Sequence, residues 1–439
     1  MRKVSQRASE IAVDFTDEAI TPCGGSYFVA RMAERLGLPE RLSERLHVKK
    51  RDRGARDAEM VLSAVYSLAA GDGALVDVDR LGADQARMEA LGLARVPGSR
   101  RLGEYLGRFD ESALDELLRV VRATVKEVAP EVIRHEVASR GYVPVFLDGT
   151  AIEVEGGYIE GARVGYSGAQ QLWLHSGFVG SLWASQRLSP GAVDVTTGWR
   201  EQLRDDIAPL IPADVPVWLH LDNAYYRHDV VAYCRQLGWD YSISVTSDTY
   251  KKPLRRKVAK LLGIDWQWVG DDHTEEAAIV RHRPGGWEHE QSFVVVRTHD
   301  DGAQGRLFPR LTFILTNRAD LSLREVVRRH RQKQGQENAQ KGPLIDLDLH
   351  HPPCLRLAAN RAFYACGQLA QLLLIAVQYH LLPAAARCHG LRTLIRDLVR
   401  CAARLVRHGR QRVLRFAKTA SRLHWISHAA DRLDVLFAT

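Results

Sequence analysis

The chain has 439 residues, too many for one compact core, so its length predicts two or three domains. Apolar residues make up 46% and charged residues 26% of it, proportions that exclude an intrinsically disordered protein. Lysine and arginine outnumber aspartate and glutamate by 61 to 53, and the resulting charge of +8 favours a polyanionic partner such as nucleic acid.

Two further features of the composition bear on location. The six cysteines are scattered without a CxxC pair, which argues against a zinc ribbon or disulfide framework and predicts a reducing, cytoplasmic environment. Residues 362–386 carry no Lys, Arg, Asp or Glu and are long enough to span a bilayer. However, Arg361, Gln368, Gln371 and Gln378 recur on one helical face. This polar stripe predicts a core helix and no membrane span.

The first segment, residues 1–140, has apolar residues at three- and four-residue spacing and is predicted to be helical. A crowded basic stretch interrupts it between residues 47 and 60. Its basic residues are Lys49, Lys50, Arg51, Arg53 and Arg56. Two interpretations stay open, a solvated loop and a patch that contacts DNA phosphates.

The middle of the chain alternates strands and helices. Residues 141–247 contain apolar runs bounded by glycine and polar turns, which predict strands of a mixed sheet. Residues 248–309 form a predicted β-rich insertion that opens with the basic stretch KKPLRRKVAK. Residues 310–386 return to strand and helix, so we expect the insertion to divide one α/β domain.

The C-terminal extension, residues 387–439, is strongly basic. Between Arg387 and Arg422 eleven Lys or Arg residues stand against one acid, Asp397. Four arginines recur every fourth residue, which predicts a helix with a line of positive charge along one face. These are Arg392, Arg396, Arg400 and Arg404. Such a face favours a polyanionic partner over a solvated surface.

Two aspartates end apolar runs: Asp148 follows VPVFL, and Asp222 follows VPVWLHL. Taken singly, each is best explained as the cap of a turn, but strand ends are also where sites gather in α/β folds. A long polar helix follows the strand RLTFILT, and it places His330, Glu337 and Lys341 on one face. Three carboxylates suit Mg²⁺ or Mn²⁺, and two such ions can support an in-line attack on phosphate.

These three segments resemble bacterial insertion-sequence transposases of the DDE class, the group with a Tyr-Arg-Glu-Lys signature around the catalytic glutamate. FLDGT and HLDNAYY match the segments of the two aspartates, and HRQKQGQENAQK matches the signature. His330 then stands at the tyrosine position, Lys333 at the arginine and Glu337 at the glutamate, while Lys341 is nearest to the final lysine. The asparagine-led helix NRAFYACGQLAQLLL also resembles the helix that closes the family's catalytic domain.

The resemblance implies an α/β fold with an RNase H-like catalytic core interrupted by the β-rich insertion, preceded by a helical DNA-binding region. It implies that Asp148, Asp222 and Glu337 bind two Mg²⁺ or Mn²⁺ ions, and that the protein cuts and joins DNA without a covalent intermediate. The expected partners are terminal inverted repeats, target DNA and a second copy of the chain, in the bacterial cytoplasm and nucleoid. The expected DNA contacts are His330, Lys333, Lys341, Lys49, Lys50, Arg51, Arg53, Lys251, Lys252, Arg255 and Arg256.

Alternatives stay open at this point. The chain could be a catalytically inactive DNA-binding protein derived from a transposase, or an RNase H-like nuclease that never joins strands. Other acids could replace a member of the trio, although the prolines around the second pair favour a structural loop. The rival acids are Glu153, Glu155, Asp346 and Asp348, with His350 and His351 beside the last two. Trp266 and Trp268 either pack within the insertion or stack on an unpaired base.

Overall fold

A computed structural model describes most of the chain. The described residues are 14–51, 53–155, 158–165, 168–261, 263–270, 274–299, 310–333, 335, 339, 341–409 and 411–438. The fold is mixed α/β, as the sequence predicts.

Helices form the N-terminal part of the molecule. They are α1 (Ser26–Arg35), α2 (Leu38–Arg45), α3 (Asp57–Ala69), α4 (Asp77–Ala83), α5 (Gln85–Ala90), α6 (Ser99–Leu106) and α7 (Glu111–Arg140). Helix α7 begins where the Asp110 carboxylate accepts a hydrogen bond from the Ala113 N–H at 2.9 Å. It ends at Gly141, whose φ of 79° is a left-handed conformation that glycine adopts at helix ends. At 30 residues α7 is about 45 Å long and runs beside the sheet that follows.

One large sheet forms the centre of the molecule. Its strands are β2 (Val143–Glu153), β3 (Arg163–Val164), β4 (Gln170–Val179), β5 (Leu182–Pro190), β6 (Val217–Leu221), β7 (Asp240–Val245), β8 (Gln267–Trp268), β9 (Glu275–His282), β10 (Gln291–Thr298) and β11 (Arg310–Thr316). The spatial order is β4-β2-β6-β7-β11-β10-β9-β8, with β5 and β3 on the free side of β4. Strands β2, β6 and β7 are parallel, and the other pairs are antiparallel.

The central position of β2 and β6 follows from their composition. All five residues of β6 and the first five of β2 are buried, because apart from His220 these runs are apolar on both faces of the strand. Between the parallel strands lie short helices, α8 (Trp199–Glu201) after β5 and α9 (His228–Leu237) after β6.

The predicted β-rich stretch, residues 248–309, begins with α10 (Asp248–Lys260) and continues the large sheet. Its strands β8, β9 and β10 join the sheet through β11, which pairs with β7. Helix α11 (Leu323–Arg331) then crosses this part of the sheet and packs Val326 and Val327 against apolar side chains of β10 and β11.

Helix α12 (Leu357–His380) is the predicted core helix, and its burial confirms that interpretation. Among the described residues one helix is long and apolar enough to cross a membrane, and it is this one, buried along its whole apolar window. Two glutamines of its polar stripe contact the outer strand β5 and the turn before it. The Gln368 side chain donates to the Trp183 carbonyl at 2.8 Å, and that of Gln371 donates to the Ser181 carbonyl at 2.8 Å. The stripe therefore provides hydrogen-bond partners for a strand edge that would otherwise be unpaired.

The predicted basic helix face near the C-terminus is wrong. The helix α13 (Leu391–Leu394) continues only as a π-helical turn to Val399, and Arg404 lies on a strand. The strands β12 (Ala403–His408) and β13 (Gln411–Phe416) form a small sheet with β1 (Ile20–Thr21), and α14 (Leu423–Phe437) follows. The recurring arginines are paired with acids, three of them distant in sequence. The pairs are Arg392–Asp346, Arg396–Asp397, Arg400–Asp72 and Arg404–Glu18.

Candidate active site

The register of two paired strands brings the two aspartates that end apolar runs to neighbouring positions. Strands β2 and β6 are parallel neighbours with Phe146 opposite His220. Continuing that register two residues past the last pair places Asp148 opposite Asp222, and neighbouring strands are generally about 4.8 Å apart. Asp222 lies directly after β6, and one of its carboxylate oxygens accepts a hydrogen bond from the Ala224 N–H at 2.9 Å. The turn-capping role considered for Asp222 is thus present and leaves the carboxylate at the edge of the parallel strands.

A buried tyrosine shows that further negative charge gathers here. Burial is the largest cause that raises the pKa of Tyr225, and the carboxylates of Asp148, Asp222 and Asp194 raise it further. These three acids therefore lie near one phenol group. Asp194 was missed by the sequence analysis because it stands in the turn between β5 and α8 and follows no apolar run. Hydrogen bonds from the Thr196 hydroxyl and N–H lower its pKa, so it stays ionised.

Gly149, directly after Asp148, lies where there is no room for a side chain. A Cβ atom on Gly149 would lie 2.5 Å from the Val195 carbonyl oxygen, closer than real contacts allow. The turn that carries Asp194 therefore packs directly on the backbone of β2. The sequence DGT at this point reflects that close approach and not a change of strand direction, because β2 continues to Glu153.

Helix α11 carries the residues before the predicted third acid across the same face of the sheet. The His330 Nε2 atom lies 3.1 Å from the Ser244 hydroxyl on β7. The Arg329 guanidinium lies 4.5 Å above the ring of Tyr142 and 4.8 Å from that of Trp218. Register places Ser244 beside Asp222, because Leu221 pairs with Ile243. The end of α11 is thus one strand away from the carboxylate pair.

Two histidines in this region are neutral. Burial is the first cause that lowers the pKa of His220, and the nearby positive charges of Arg140, Lys333 and Arg329 lower it further. Burial, with Lys333 and Arg331, lowers the pKa of His330 to about 3. Neither ring nitrogen of His220 has a hydrogen-bond partner among the described residues, and the ring stacks on Phe146 at 4.8 Å.

The predicted third ligand, Glu337, lies outside the described residues. Lys333 belongs to the turn after α11, and Lys341 is exposed immediately before the turn Gly342–Asp346. In the part of the chain that the structure describes, no group of three His, Cys, Asp or Glu side chains is arranged to hold one metal ion. The carboxylates of Asp148 and Asp222 are hard oxygen donors, which fit Mg²⁺ or Mn²⁺ better than softer metals.

The rival acids lie elsewhere. Glu153 is five residues beyond Asp148 on β2, roughly 16 Å along the strand and on its other face. Glu155 follows the end of that strand. The Asp346 carboxylate pairs with Arg392 at 3.1 Å, and the Asp348 carboxylate contacts the His350 ring at 3.2 Å. These contacts agree with the structural interpretation of that proline-bounded loop.

Next to the N-terminal helices, the basic stretch around residue 50 lines a groove of about 1880 Å³. Nine Lys or Arg residues and four acids among the described residues line it. The cations are Arg45, Lys49, Lys50, Arg51, Arg53, Arg95, Arg100, Arg101 and Arg108. The second half of this set, from α6 and its flanks, was missed by the sequence analysis because it is spread over 14 residues. The Lys49 ammonium group holds the loop by donating to the carbonyls of Arg53 and Ala55.

In the basic stretch of α10 the four candidate cations divide into two sets. Lys251 and Arg255 line a cavity between α10 and α11, whereas Lys252 and Arg256 are exposed on α10 and are not part of its lining. Of the two tryptophans nearby, Trp266 lies 4.1 Å beneath the Arg297 guanidinium and packs against the core, while Trp268 is half-exposed.

A comparison with protein families gives one finding that covers nearly the whole chain. The model of the family described as "Transposase DDE domain group 1" matches residues 3–437. No curated protein matches the chain.

Proposed function

Because the chain belongs to the transposase DDE domain group 1 family, we propose that it cuts and joins DNA at the ends of an insertion sequence. The observation that carries the proposal is the parallel register of β2 and β6, which brings Asp148, within β2, opposite Asp222, directly after β6. These two carboxylates, with Glu337 later in the sequence, match the order Asp, Asp, Glu that names the family. The specific activity that we propose is cut-and-paste transposition.

The strand order supports an RNase H-like catalytic core. Strands β5, β4 and β2 are antiparallel neighbours, and β6 and β7 continue the sheet in parallel with β2. We assign this core to residues 141–247 and 310–386, with residues 248–309 as its β-rich insertion. Residues 1–140 are the proposed helical DNA-binding region, and residues 387–439 are the C-terminal extension.

Asp148, Asp222 and Glu337 would hold two Mg²⁺ or Mn²⁺ ions. When bound, these ions supply positive charge at the attacking and leaving oxygens of the phosphate. In the first step a water oxygen forms a bond to phosphorus at the element's end, and the 3′ oxygen of the element leaves. In the second step that 3′-hydroxyl attacks a target phosphate and displaces its 3′ oxygen, so joining needs no other reactant.

The proposed DNA contacts fall into two groups. Lys333 and Lys341 contact phosphates near the cut, and His330 holds the end of α11 against Ser244 so that these lysines stay in place. Lys50, Arg51 and Arg53 line the groove beside the N-terminal helices, where the loop is held by Lys49. The duplex ends would lie in this groove, bound mainly through phosphates. A homodimer that holds two terminal inverted repeats in the bacterial cytoplasm completes the proposal.

Cleavage of a labelled duplex that carries the element's own end, in Mg²⁺, Mn²⁺ or EDTA, tests the proposal. We expect metal-dependent nicking at the end. Asp148→Asn and Glu337→Gln should each abolish it, a loss larger than the roughly 10–100-fold cost of changes outside the metal ligands. Glu153→Gln is the matched control, because it removes a carboxylate from the same strand at a position away from Asp148.

The other outcomes discriminate between candidates. Retained DNA binding without cleavage in any metal would favour an inactive DNA-binding protein. Cleavage without joining of a pre-cut 3′ end would favour a nuclease. Cleavage that survives in the Glu337→Gln protein would return attention to Asp346 and Asp348 as the third ligand.

A further inference from the structure

A second cavity opens one strand away from the carboxylate pair. It has a volume of about 610 Å³ and lies between α10 and α11, over strands β7, β11, β10 and β9. Ser244 and Thr246 form its edge toward Asp222. The Asn223 side-chain oxygen accepts hydrogen bonds from the N–H groups of Thr246 at 2.8 Å and Ser247 at 3.0 Å. The residue after Asp222 thereby fixes the rim of the cavity relative to the proposed catalytic site.

The floor of this cavity changes character along the sheet. Beneath α11 the sheet presents Val294, Val296 and Ile314, which pack on the helix. Beyond the helix the same face presents Thr298 and Thr312, and register pairs Val296 with Thr312 and Thr298 with Arg310. A sheet face that needed only to be covered would continue the apolar pattern. Hydroxyl groups at the open part of the floor instead suit a polar ligand.

The walls of the cavity carry positive charge from three elements. Lys251 and Arg255 project from α10, Arg310 from β11, and Arg331 from α11. Among the described residues the one acid in the lining is Glu275, which forms an ion pair with Arg331. Asp248 lies 3.5 Å from the Lys251 ammonium group and 3.9 Å from the Arg255 guanidinium, but its side chain is 70% exposed. Exposed pairs of this kind are weak, so the cavity keeps an excess of positive charge.

The size of the cavity limits the ligand. Enclosed sites of 300–1,000 Å³ hold ligands about the size of a nucleotide, whereas a duplex needs an open groove. The described lining offers cations and hydroxyl groups, and its aromatic side chains, Phe313 and His330, are largely buried. Cations and hydroxyl groups suit a ligand that is recognised through phosphates and sugars.

We propose that this cavity binds a single unpaired DNA strand that continues past the reacting phosphate, with Lys251, Arg255 and Arg310 as its phosphate contacts. The proposal depends on the proposed function, because the carboxylate pair defines which phosphate reacts. It also assigns different roles to neighbouring residues of one basic stretch. Lys251 and Arg255 act at the cavity. Lys252 and Arg256, which the sequence also predicts as DNA contacts, lie outside the cavity lining, and the proposal gives them no contact with this strand.

The test is the binding of a fluorescent oligothymidylate of about eight nucleotides to the full-length protein in EDTA, followed by anisotropy over a range of salt concentrations. Lys251→Ala/Arg255→Ala is compared with Lys252→Ala/Arg256→Ala, which removes the same charge from the same helix. We expect the cavity variant to bind roughly tenfold more weakly. Its plot of log affinity against log salt should be shallower by about 1.4, since each phosphate contact to a single strand contributes about 0.7. The control should change affinity less than about threefold and keep the slope.

Equal losses in the two double variants would overturn the proposal, and so would an unchanged affinity in both. Arg310 lies on strand β11 rather than on α10, so Arg310→Ala is an independent test of the cavity. This substitution should also weaken binding of the oligomer. If a matched ribonucleotide oligomer bound more tightly through the same residues, or if inorganic phosphate displaced the oligomer at equal phosphate concentration, the assignment to a DNA strand would be wrong. Circular dichroism and thermal melting establish that each variant is folded.

This experiment separates the two proposals. Strand binding in EDTA needs no cleavage and should persist in Asp148→Asn. If Lys251→Ala/Arg255→Ala binds the oligomer like the control variant, while the wild-type protein cuts the DNA end of the element, the cavity proposal fails and the catalytic one stands. If the cavity residues govern strand binding but no metal supports cleavage, the catalytic proposal fails instead.

Discussion

Two basic regions of this molecule differ in how their charge is used. Near the C-terminus, arginines extend to acids from other parts of the chain, as Arg400 does to Asp72 at 2.7 Å and Arg407 to Glu89 at 3.1 Å. Beside the N-terminal helices, Lys50, Arg101 and Arg108 line an open groove and form no ion pair with any described acid. The first region holds the N-terminal helices to the C-terminal part of the chain. The second has charge available for a ligand.

A count of charges along a sequence therefore does not identify a binding surface. Between Arg387 and Arg422 the sequence supplies one acid, a pattern that favours a polyanionic partner. The actual partners lie about 300 residues away in sequence, at Asp72 and Glu89. What distinguishes a binding region is an excess of cations that remains after the fold has brought its acids into place.

The largest effect is expected from removing Asp72, which forms the most buried ion pair linked to the C-terminal region. Asp72 is 14% exposed and lies between Arg400 and Arg87, whose side chain is 4% exposed. The pKa of Asp72 is raised because the effect of burial exceeds the opposing effect of the two guanidinium groups, so the cluster itself contributes little net stability. Removing one member of the cluster has a larger effect. Asp72→Ala leaves the Arg87 charge buried, and we expect the free energy of unfolding to fall by about 3–5 kcal/mol.

Urea denaturation followed by circular dichroism measures this change. The folded variant should bind the duplex end as wild type does, because Asp72 is not in the groove. A variant with unchanged stability but altered DNA affinity would reverse the assignment of this region as structural.

The second prediction concerns the groove. Arg101→Ala/Arg108→Ala removes two exposed cations, and we expect duplex affinity to fall roughly tenfold to hundredfold, with the salt slope reduced by about 1.8. Arg407→Ala/Arg412→Ala removes the same charge from the C-terminal region and is the matched control. Anisotropy on the element's end and on an unrelated duplex gives both affinities. If the two double variants bind equally weakly, the groove has no special role and net charge alone governs binding.

How far the sequence could predict these features depends on the range of the interactions. The apolar runs before Asp148 and Asp222 identify central strands, and the stripe of Gln368 and Gln371 identifies a core helix, because each pattern is local. The position of Asp194 could not be predicted, since it depends on the turn that packs against Gly149. The same holds for the groove, which needs the loop near residue 50 and helix α6 to meet.

The third prediction concerns two buried histidines, His220 and His330. Burial lowers the pKa of His220, and the nearby cations Arg140, Lys333 and Arg329 lower it further, while the pKa of His330 is lowered to about 3. Both side chains are neutral in the folded protein and protonate more readily when it unfolds. Their contribution to stability is therefore complete above about pH 6.5 and is lost as the pH falls toward the folded pKa.

At pH 5 each histidine should add about 1.4 kcal/mol per pH unit to the slope of unfolding free energy against pH. His220→Phe keeps the stacking on Phe146 and removes two ring nitrogens without described partners. We expect it to be neutral or stabilising at pH 7 and to reduce the slope near pH 5 by that amount. Urea denaturation between pH 4 and 7.5 tests this, and an unreduced slope would mean that His220 is protonated in the native state.

The smallest effect is expected for Arg407→Ala/Arg412→Ala, and this variant tests most directly whether the C-terminal arginines are structural. Arg407 and Arg412 both pair with Glu89, and their side chains are 70% and 61% exposed. Exposed pairs contribute only about 0.2–1 kcal/mol each, so Arg407→Ala/Arg412→Ala should lower the free energy of unfolding by less than about 2 kcal/mol and leave duplex affinity nearly unchanged. Raising the salt from 50 mM to 1 M should reduce even that difference, because screening weakens exposed pairs. If this variant instead lost DNA affinity in step with the groove variant, the pairs with Glu89 would have to open when DNA binds. The C-terminal arginines would then belong to the binding surface after all.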